Sequence, residues 1–170
     1  IIVTTGGSEA ITMAFTVCMD PGDEVLIPEP FYTNYNGFAI ATGVKVVPVT
    51  TRIEDNWQIP SIKEIEALVT ERTKAILICN PNNPTGKVYS KEELAEIVEL
   101  AIKKDFVIIA DEVYREFIFE GEKHTSFMNF EHARERVIVV DSISKRFSSC
   151  GARIGAFLSY NCDIMKAALA

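Results

Sequence analysis

The stretch Ser142-Ile143-Ser144-Lys145 followed by Gly151-Ala152-Arg153-Ile154-Gly155 brings together a primary amine, two hydroxyls and a guanidinium. A lysine amine forms Schiff bases with carbonyl compounds, and the planar fork of an arginine suits a phosphate. An aldehyde carrying a phosphate is the kind of ligand that would use both. The alternative for Lys145 taken alone is a solvated Lys-Arg pair in a polar loop.

Other chemistry-bearing residues share one placement, just past a short apolar run. Gly6-Gly7-Ser8-Glu9 follows Ile1–Thr5, and Ala10 to Met19 reads as a helix behind it. A strand, a tight turn and a helix start aim backbone N–H groups at one point, which suits a phosphate, while Ser8 would cap the helix or donate to the ligand. The plainer reading of Gly-Gly-Ser is a turn with an N-cap. Glu24 to Pro28 leads to Phe31, Tyr32 and Tyr35, aromatic residues of which one would stack on a flat ring while Phe31 packs under the loop. Lys74 to Cys79 leads to Asn80-Pro81-Asn82-Asn83-Pro84-Thr85-Gly86, a rigid loop with amides in fixed directions. Phe106 to Ala110 ends in Asp111-Glu112-Val113-Tyr114, where Asp111 is either a structural cap or a functional acid. Arg136 to Asp141 leads back to Lys145.

The elements that must position these residues alternate strand and helix along the chain. Ser61 with Glu64, and Ser90 with Glu93, have capping-box spacing ahead of apolar residues at helical period. The pattern implies an α/β fold of three layers, a mainly parallel sheet with helices on both faces, because parallel strands need crossover connections. The last strand, Ile154 to Tyr160, is expected to run antiparallel. In an open parallel sheet ligands bind outside the C-terminal strand ends, so Gly7, Ser8, Tyr32, Asn83, Asp111 and Lys145 fall on one rim.

With 170 residues and 48% hydrophobic composition the chain has core enough for one domain, residues 1–170. The net charge of −7 argues against a nucleic-acid or anionic-membrane surface, though a local basic pocket of Lys145, Arg146 and Arg153 is compatible with it. Cys18, Cys79, Cys150 and Cys162 form no C-x-x-C pair, so neither a zinc site nor a disulfide framework is indicated, and a reducing cytoplasm is the expected compartment. His124 and His132 lack partners at metal-ligand spacing and are expected at the surface, and Cys150, near Lys145 and Arg153, is expected to be a buried, inert thiol, the alternative being one of lowered pKa that reacts with oxidants. No metal is expected. The abrupt strand at Ile1 and the helix-like Asp163 to Ala170 lead to the expectation of a piece of a longer protein.

Taken in order, Gly6-Gly7-Ser8-Glu9-Ala10, the Asn80–Gly86 loop, Asp111-Glu112-Val113-Tyr114 and Ser142-Ile143-Ser144-Lys145 with Gly151-Ala152-Arg153-Ile154-Gly155 resemble the class I aminotransferases of fold type I, which use pyridoxal 5'-phosphate. The resemblance spans essentially the whole chain and is nearest to the aspartate-type enzymes. It implies most of the large, cofactor-binding domain, with an N-terminal segment and a C-terminal small domain outside it. By position it implies that Lys145 forms the Schiff base and later moves the substrate proton, and that Asp111 pairs with the pyridine nitrogen. Asn83 and Tyr114 would bond the phenolic oxygen, Tyr32 would stack on the ring, and Gly7, Ser8, Ser142 and Arg153 would hold the phosphate. Ser144 would be supportive. Some relatives carry tryptophan where this chain has Tyr32.

The substrates implied are an amino acid, aspartate by resemblance, and a 2-oxo acid such as 2-oxoglutarate; the assembly implied is a homodimer. Since the resemblance places the substrate-carboxylate arginine in the small domain, the chain by itself is expected to have little or no transaminase activity. Two other readings share the cofactor-side residues: a lyase or decarboxylase, and a non-catalytic sensory module of the kind fused to DNA-binding regions. A nucleotide-binding domain is disfavoured because neither G-x-G-x-x-G nor G-x-x-x-x-G-K-[ST] occurs.

Overall fold

The computed structural model describes residues 1–119 and 121–170. Seven strands form one sheet: β1 (Ile2–Thr4), β2 (Glu24–Glu29), β3 (Lys45–Thr50), β4 (Thr73–Cys79), β5 (Val107–Asp111), β6 (Val137–Ser142) and β7 (Gly155–Ser159). Their order across the sheet is β1-β7-β6-β5-β4-β2-β3. Strands β2 to β6 pair in parallel, while β7 runs antiparallel to both β6 and β1. The expected antiparallel last strand is therefore present, inserted between the first strand and the sixth.

Among the described residues six α-helices connect and cover the sheet: α1 (Gly6–Cys18), α2 (Asn34–Thr42), α3 (Ile62–Leu68), α4 (Lys91–Lys104), α5 (Ile143–Arg146) and α6 (Cys162–Ala167). Side chains of successive strand residues point to opposite faces, so each central strand feeds two cores. On one face Ile76, Ile78, Ile108, Ala110, Val137 and Val139 pack with Ile65 of α3 and Leu94, Ile97, Val98 and Ala101 of α4. On the other, Ala75, Leu77, Ile109, Ile138 and Val140 pack with Ala10, Ile11, Ala14 and Phe15 of α1 and Tyr35 and Ala39 of α2. Burying a Leu, Ile or Phe in full contributes about 1.5–3 kcal/mol each, and these two layers hold the strand ends that carry the polar residues in fixed relation.

The helix ends follow from sequence. Ser90 Oγ accepts from Glu93 N at 3.1 Å and Glu93 Oε2 accepts from Ser90 N at 2.8 Å, closing the capping box that starts α4. Lys103 and Lys104 lie in its last turn, where they offset the negative end of the helix dipole. Glu64 Oε2 likewise accepts from Ser61 N at 3.0 Å at the start of α3. Among the described residues no helix is long and apolar enough to cross a membrane.

One boundary differs from the sequence expectation. Helix α1 begins at Gly6 rather than at Ala10, so Gly7 and Ser8 form its first turn instead of a separate loop, and Ser8 does not cap it. The chain reverses abruptly because Gly6 has φ +76°, a conformation that glycine adopts without Cβ strain. Gly155 of β7 packs directly on the Gly6–Gly7 peptide, and an added Cβ there would run into the Gly6 carbonyl and the Gly7 nitrogen.

Candidate active site

The C-terminal ends of the strands open onto a cavity of about 170 Å³. Gly7 and Ser8 line it from the first turn of α1, Tyr32 from the segment after β2, and Asn83 from the loop after β4. Asp111 closes its floor from the last position of β5, with Tyr114 three residues on. Ser142 reaches it from the end of β6, Lys145 from α5, and Arg153 from the approach to β7. The structure thus gathers all nine residues singled out in the sequence around one space.

At the phosphate-suited end, α1 has no side-chain cap at its N-terminus, which leaves first-turn N–H groups available to an anion. Arg153 lies against the bare Cα of Gly6, and its guanidinium donates to two backbone carbonyls, Cys150 O at 3.0 Å and Thr5 O at 3.3 Å. No carboxylate is bonded to Arg153 among the described residues, so its charge is free to meet an anion. Ser142 is more committed than its sequence position suggests. Its buried hydroxyl caps α5, accepting from Ser144 N at 3.1 Å, and lies 3.0 Å from the carbonyl oxygen of Ile154. It therefore orients the turn that presents Lys145 as well as lining the cavity.

The acid end is built around Asp111, which is only 5% exposed. Burial pushes its carboxyl up to about 6, against hydrogen bonds from the Tyr35 hydroxyl and the Val113 N–H that favour the charged form; Asp141 and Glu112 add a smaller upward push. The partners are close: Tyr35 Oη donates to Asp111 Oδ2 at 2.7 Å, and Val113 N to Oδ1 at 3.2 Å. Burial, and then the neighbouring Asp111, raise the Tyr35 phenol well above its ordinary range, so it stays a donor. Burial also pushes the neighbouring Cys79 thiol up, which leaves it inert. A carboxyl held this way can receive a hydrogen bond from, or pair with, a protonated ring nitrogen.

The rings are arranged around that acid. Tyr32 is exposed and meets Tyr35 edge-on, with centroids 5.5 Å apart and planes at 89°. Asn34 Nδ2 donates to the Tyr32 hydroxyl at 2.6 Å. Lys145 Nζ sits 5.8 Å from the centroid of the Tyr114 ring. In the loop after β4, Asn80 accepts from Tyr89 N at 3.0 Å and Asn82 accepts from Thr85 Oγ1 at 2.9 Å. These two asparagines hold the loop's shape, and Asn83 alone of the three lines the cavity.

Two expectations are corrected. His124 is not a surface residue: it is largely buried, 3.2 Å from Glu112 Oε2, because Glu112 is itself buried under the 121–130 segment and needs partners. His132 is at the surface, as expected, with the exposed Glu99 3.0 Å from its ring. Cys150 is exposed, not buried, since the turn between α5 and β7 covers the cavity rim and not the core. Tyr35, one of the aromatic residues after β2, is the direct partner of Asp111. No local sequence signal could have found this pairing, since the two residues lie 76 positions apart.

A flat, phosphate-bearing aldehyde fits these donors. The uncapped helix start with Arg153 suits its phosphate, the buried acid suits a ring nitrogen, the exposed Tyr32 suits the ring, and an exposed lysine amine suits the aldehyde.

Comparison with known proteins accords with this arrangement. The chain is 43% identical over 155 residues to the putative aminotransferase YugH of Bacillus subtilis, covering 91% of this chain and 40% of that protein. It is 40% identical over 159 residues to the aspartate aminotransferase of Thermotoga maritima, covering 94% of this chain and 42% of that one. The solved structure of an aromatic aminotransferase from Pyrococcus horikoshii superposes with a TM-score of 0.92 at 34% identity, over 99% of this chain and 44% of that one. The chain therefore spans about two-fifths of the length of these relatives. Residues 1–170 match, from end to end, the pattern described as aminotransferase class I and II, and the chain belongs to that family.

Proposed function

We propose that the protein to which these residues belong is a pyridoxal-phosphate-dependent aminotransferase, moving an amino group between an amino acid and a 2-oxo acid. The observation that carries the reading is the convergence of Lys145 and Asp111 on one cavity, an attachment amine on one wall and a buried acid on its floor. When bound, the cofactor would supply an electron sink for charge developing at the substrate Cα.

The chain's own residues would do the rest. Lys145 Nζ would hold the aldehyde and, once displaced by the substrate amine, carry the proton at Cα. Asp111, fixed by Tyr35 and Val113, would keep a proton on the pyridine nitrogen, and gaining that positive partner would return its carboxyl toward the charged state. Asn83 and Tyr114 would bond the phenolic oxygen, and Tyr32 would stack on the ring. Gly7, Ser8 and Arg153 would hold the phosphate, with Ser142 both near it and setting the turn of α5. Residues 1–170 act as one cofactor-binding domain in this reading. Aspartate is the proposed amino donor, supported by the similarity to the aspartate aminotransferase of Thermotoga maritima, and a homodimer the proposed assembly. Because the chain spans two-fifths of its relatives, turnover belongs to the longer protein, and the 170-residue chain alone is proposed to be inactive.

The test is an absorbance spectrum of the chain mixed with pyridoxal phosphate, beside Lys145→Ala, followed by borohydride reduction and peptide mapping. A visible band absent from the variant, with the reduced adduct on Lys145, is expected. An adduct on another lysine, or an equal band in the variant, would overturn the assignment. Amino transfer from aspartate to 2-oxoglutarate by the longer protein then tests the reaction, and release of carbon dioxide or ammonia in place of a new amino acid would sink it.

A further inference from the structure

We propose that Asp141 is a positioning residue that locks the segment carrying Tyr114 to the segment carrying Lys145, through Arg115 and Arg146. The inference rests on the reading above that Tyr114 and Lys145 face one cofactor. Asp141 is the penultimate residue of β6, so its carboxylate is anchored to the sheet and not to a loop. Its Oδ2 lies 3.0 Å from Arg115 Nη2 and 3.0 Å from Arg146 Nη2. Arg115 directly follows Tyr114, and Arg146 directly follows Lys145. One strand carboxylate thus ties down the two segments whose side chains meet across the cavity, with Lys145 Nζ 5.8 Å from the Tyr114 ring centroid.

Charge balance supports a built cluster over a chance surface pair. Two guanidiniums on one carboxylate leave an excess positive charge, and Glu116 offsets it, with Oε1 3.8 Å from the Nε atoms of both Arg115 and Arg146. The Asp141 and Arg146 side chains are only 17% and 21% exposed, so their interaction is screened less than an open ion pair, which is typically worth about 0–1 kcal/mol. Asp141 Oδ1 is held in turn, accepting from Ser142 N at 2.8 Å. Arg146 Nε is buried without a hydrogen bond among the described residues, so removing Asp141 would leave that guanidinium with a distant Glu116 as its remaining carboxylate.

The test is hydrogen exchange read by mass spectrometry on the 170-residue chain, with Asp141→Asn, Asp141→Glu and Arg115→Gln. Exchange in residues 113–117 and 143–147 should rise about threefold or more in Asp141→Asn and return toward wild type in Asp141→Glu. Arg115→Gln should loosen residues 143–147 as well as its own segment, while helix α4 stays unchanged. If Asp141→Asn also loosens α4, the half-buried Arg115→Gln decides the matter. A second readout adds pyridoxal phosphate and compares the circular-dichroism amplitude of the visible band per cofactor later trapped on Lys145. That amplitude should fall by half or more in Asp141→Asn and recover in Asp141→Glu. Unchanged exchange of 143–147 in Arg115→Gln, or an unchanged amplitude per trapped cofactor in Asp141→Asn, would overturn the proposal. A wild-type chain that takes up no pyridoxal phosphate would defeat the cofactor reading, while the exchange data would still decide whether the clamp exists.

Discussion

The Tyr35 hydroxyl donates to Asp111 Oδ2 at 2.7 Å, joining the first turn of α2 to the end of β5 beneath the cavity. Both groups are buried, so neither has water as a substitute partner. Tyr35→Phe removes the donor and leaves the carboxyl with the Val113 N–H as its remaining donor among the described residues. The expected loss is roughly 1.5–3 kcal/mol, the range for hydrogen bonds to charged groups. It should be larger at pH 8, where Asp111 is ionised, than at pH 5, and urea denaturation at the two pH values measures the difference. Equal losses at both would show that the phenol serves only as packing.

Asp111 itself gives a pH dependence of definite sign. Its folded-state value of about 6 lies above the ordinary 3.8, so between those values the unfolded chain releases a proton that the folded chain keeps. Stability of the cofactor-free chain should therefore fall as pH rises from about 4 to about 6 and then level off, by on the order of 3 kcal/mol from this group. Asp111→Asn should abolish this fall and be at least as stable as wild type at pH 8, while losing affinity for pyridoxal phosphate about tenfold or more. Denaturant midpoints across pH 4 to 8 check the first half, and absorbance titration the second.

Much of this site is legible in the sequence because strand ends are. The apolar run of β5 stops at a carboxylate and that of β6 stops before Ser142 and Lys145, and an α/β sheet delivers such stops to one edge. What stays hidden is pairing over distance. Tyr35 and Asp111 are 76 positions apart, and nothing in the local pattern of either selects the other. The same holds for Glu112 with His124, whose contact depends on how the 121–130 segment folds back. The start of α1 is misread for a different reason. Glycine is a poor helix former, so Gly6-Gly7 looks like a break, whereas the positive φ of Gly6 and the Arg153 guanidinium against its bare Cα both call for glycine at the helix start.

The packing of Gly155 on the Gly6–Gly7 peptide is itself testable. Gly155→Ala would push a methyl group into the Gly6 carbonyl and the Gly7 nitrogen, both backbone atoms that cannot swing aside. A destabilisation of about 3 kcal/mol or more is expected, above the usual cost of overpacking by one methyl. Loss of phosphate-competitive binding of pyridoxal phosphate should accompany it, because β7 would be displaced from the start of α1. A melting temperature within a degree of wild type would show that the contact relaxes freely.

Lys145→Ala separates chemistry from stability. The lysine is exposed and, among the described residues, its amine makes no hydrogen bond or ion pair and lies 5.8 Å from the Tyr114 ring centroid. Stability should change by less than about 0.5 kcal/mol, as for surface substitutions away from special features. Covalent attachment of pyridoxal phosphate should be lost, with weaker reversible binding retained through Arg153 and the start of α1. Equilibrium dialysis of the variant measures that residual binding, and none at all would mean that attachment, not the phosphate end, supplies the affinity.

Glu112 should matter to folding more than its neighbour Asp111 does. It is 1% exposed, and one carboxylate oxygen accepts from Ser126 Oγ at 2.7 Å and from Phe127 N at 3.2 Å, while the other lies 3.2 Å from His124 Nε2. These bonds pin the 121–130 segment, whose Phe127 enters the core beside Phe130, with ring centroids 6.3 Å apart. Glu112→Ala strands the buried Phe127 N–H and removes the carboxylate's packing, at a cost of roughly 2–4 kcal/mol. Glu112→Gln keeps an acceptor for Phe127 N and Ser126 and should lose only about 1 kcal/mol. Urea denaturation gives both numbers, and protease cleavage within 121–130 reports where the loss is felt. Should the alanine variant cost no more than the glutamine one, the acceptor role assigned here to Glu112 is wrong, and the segment is held by Phe127 and Phe130 alone.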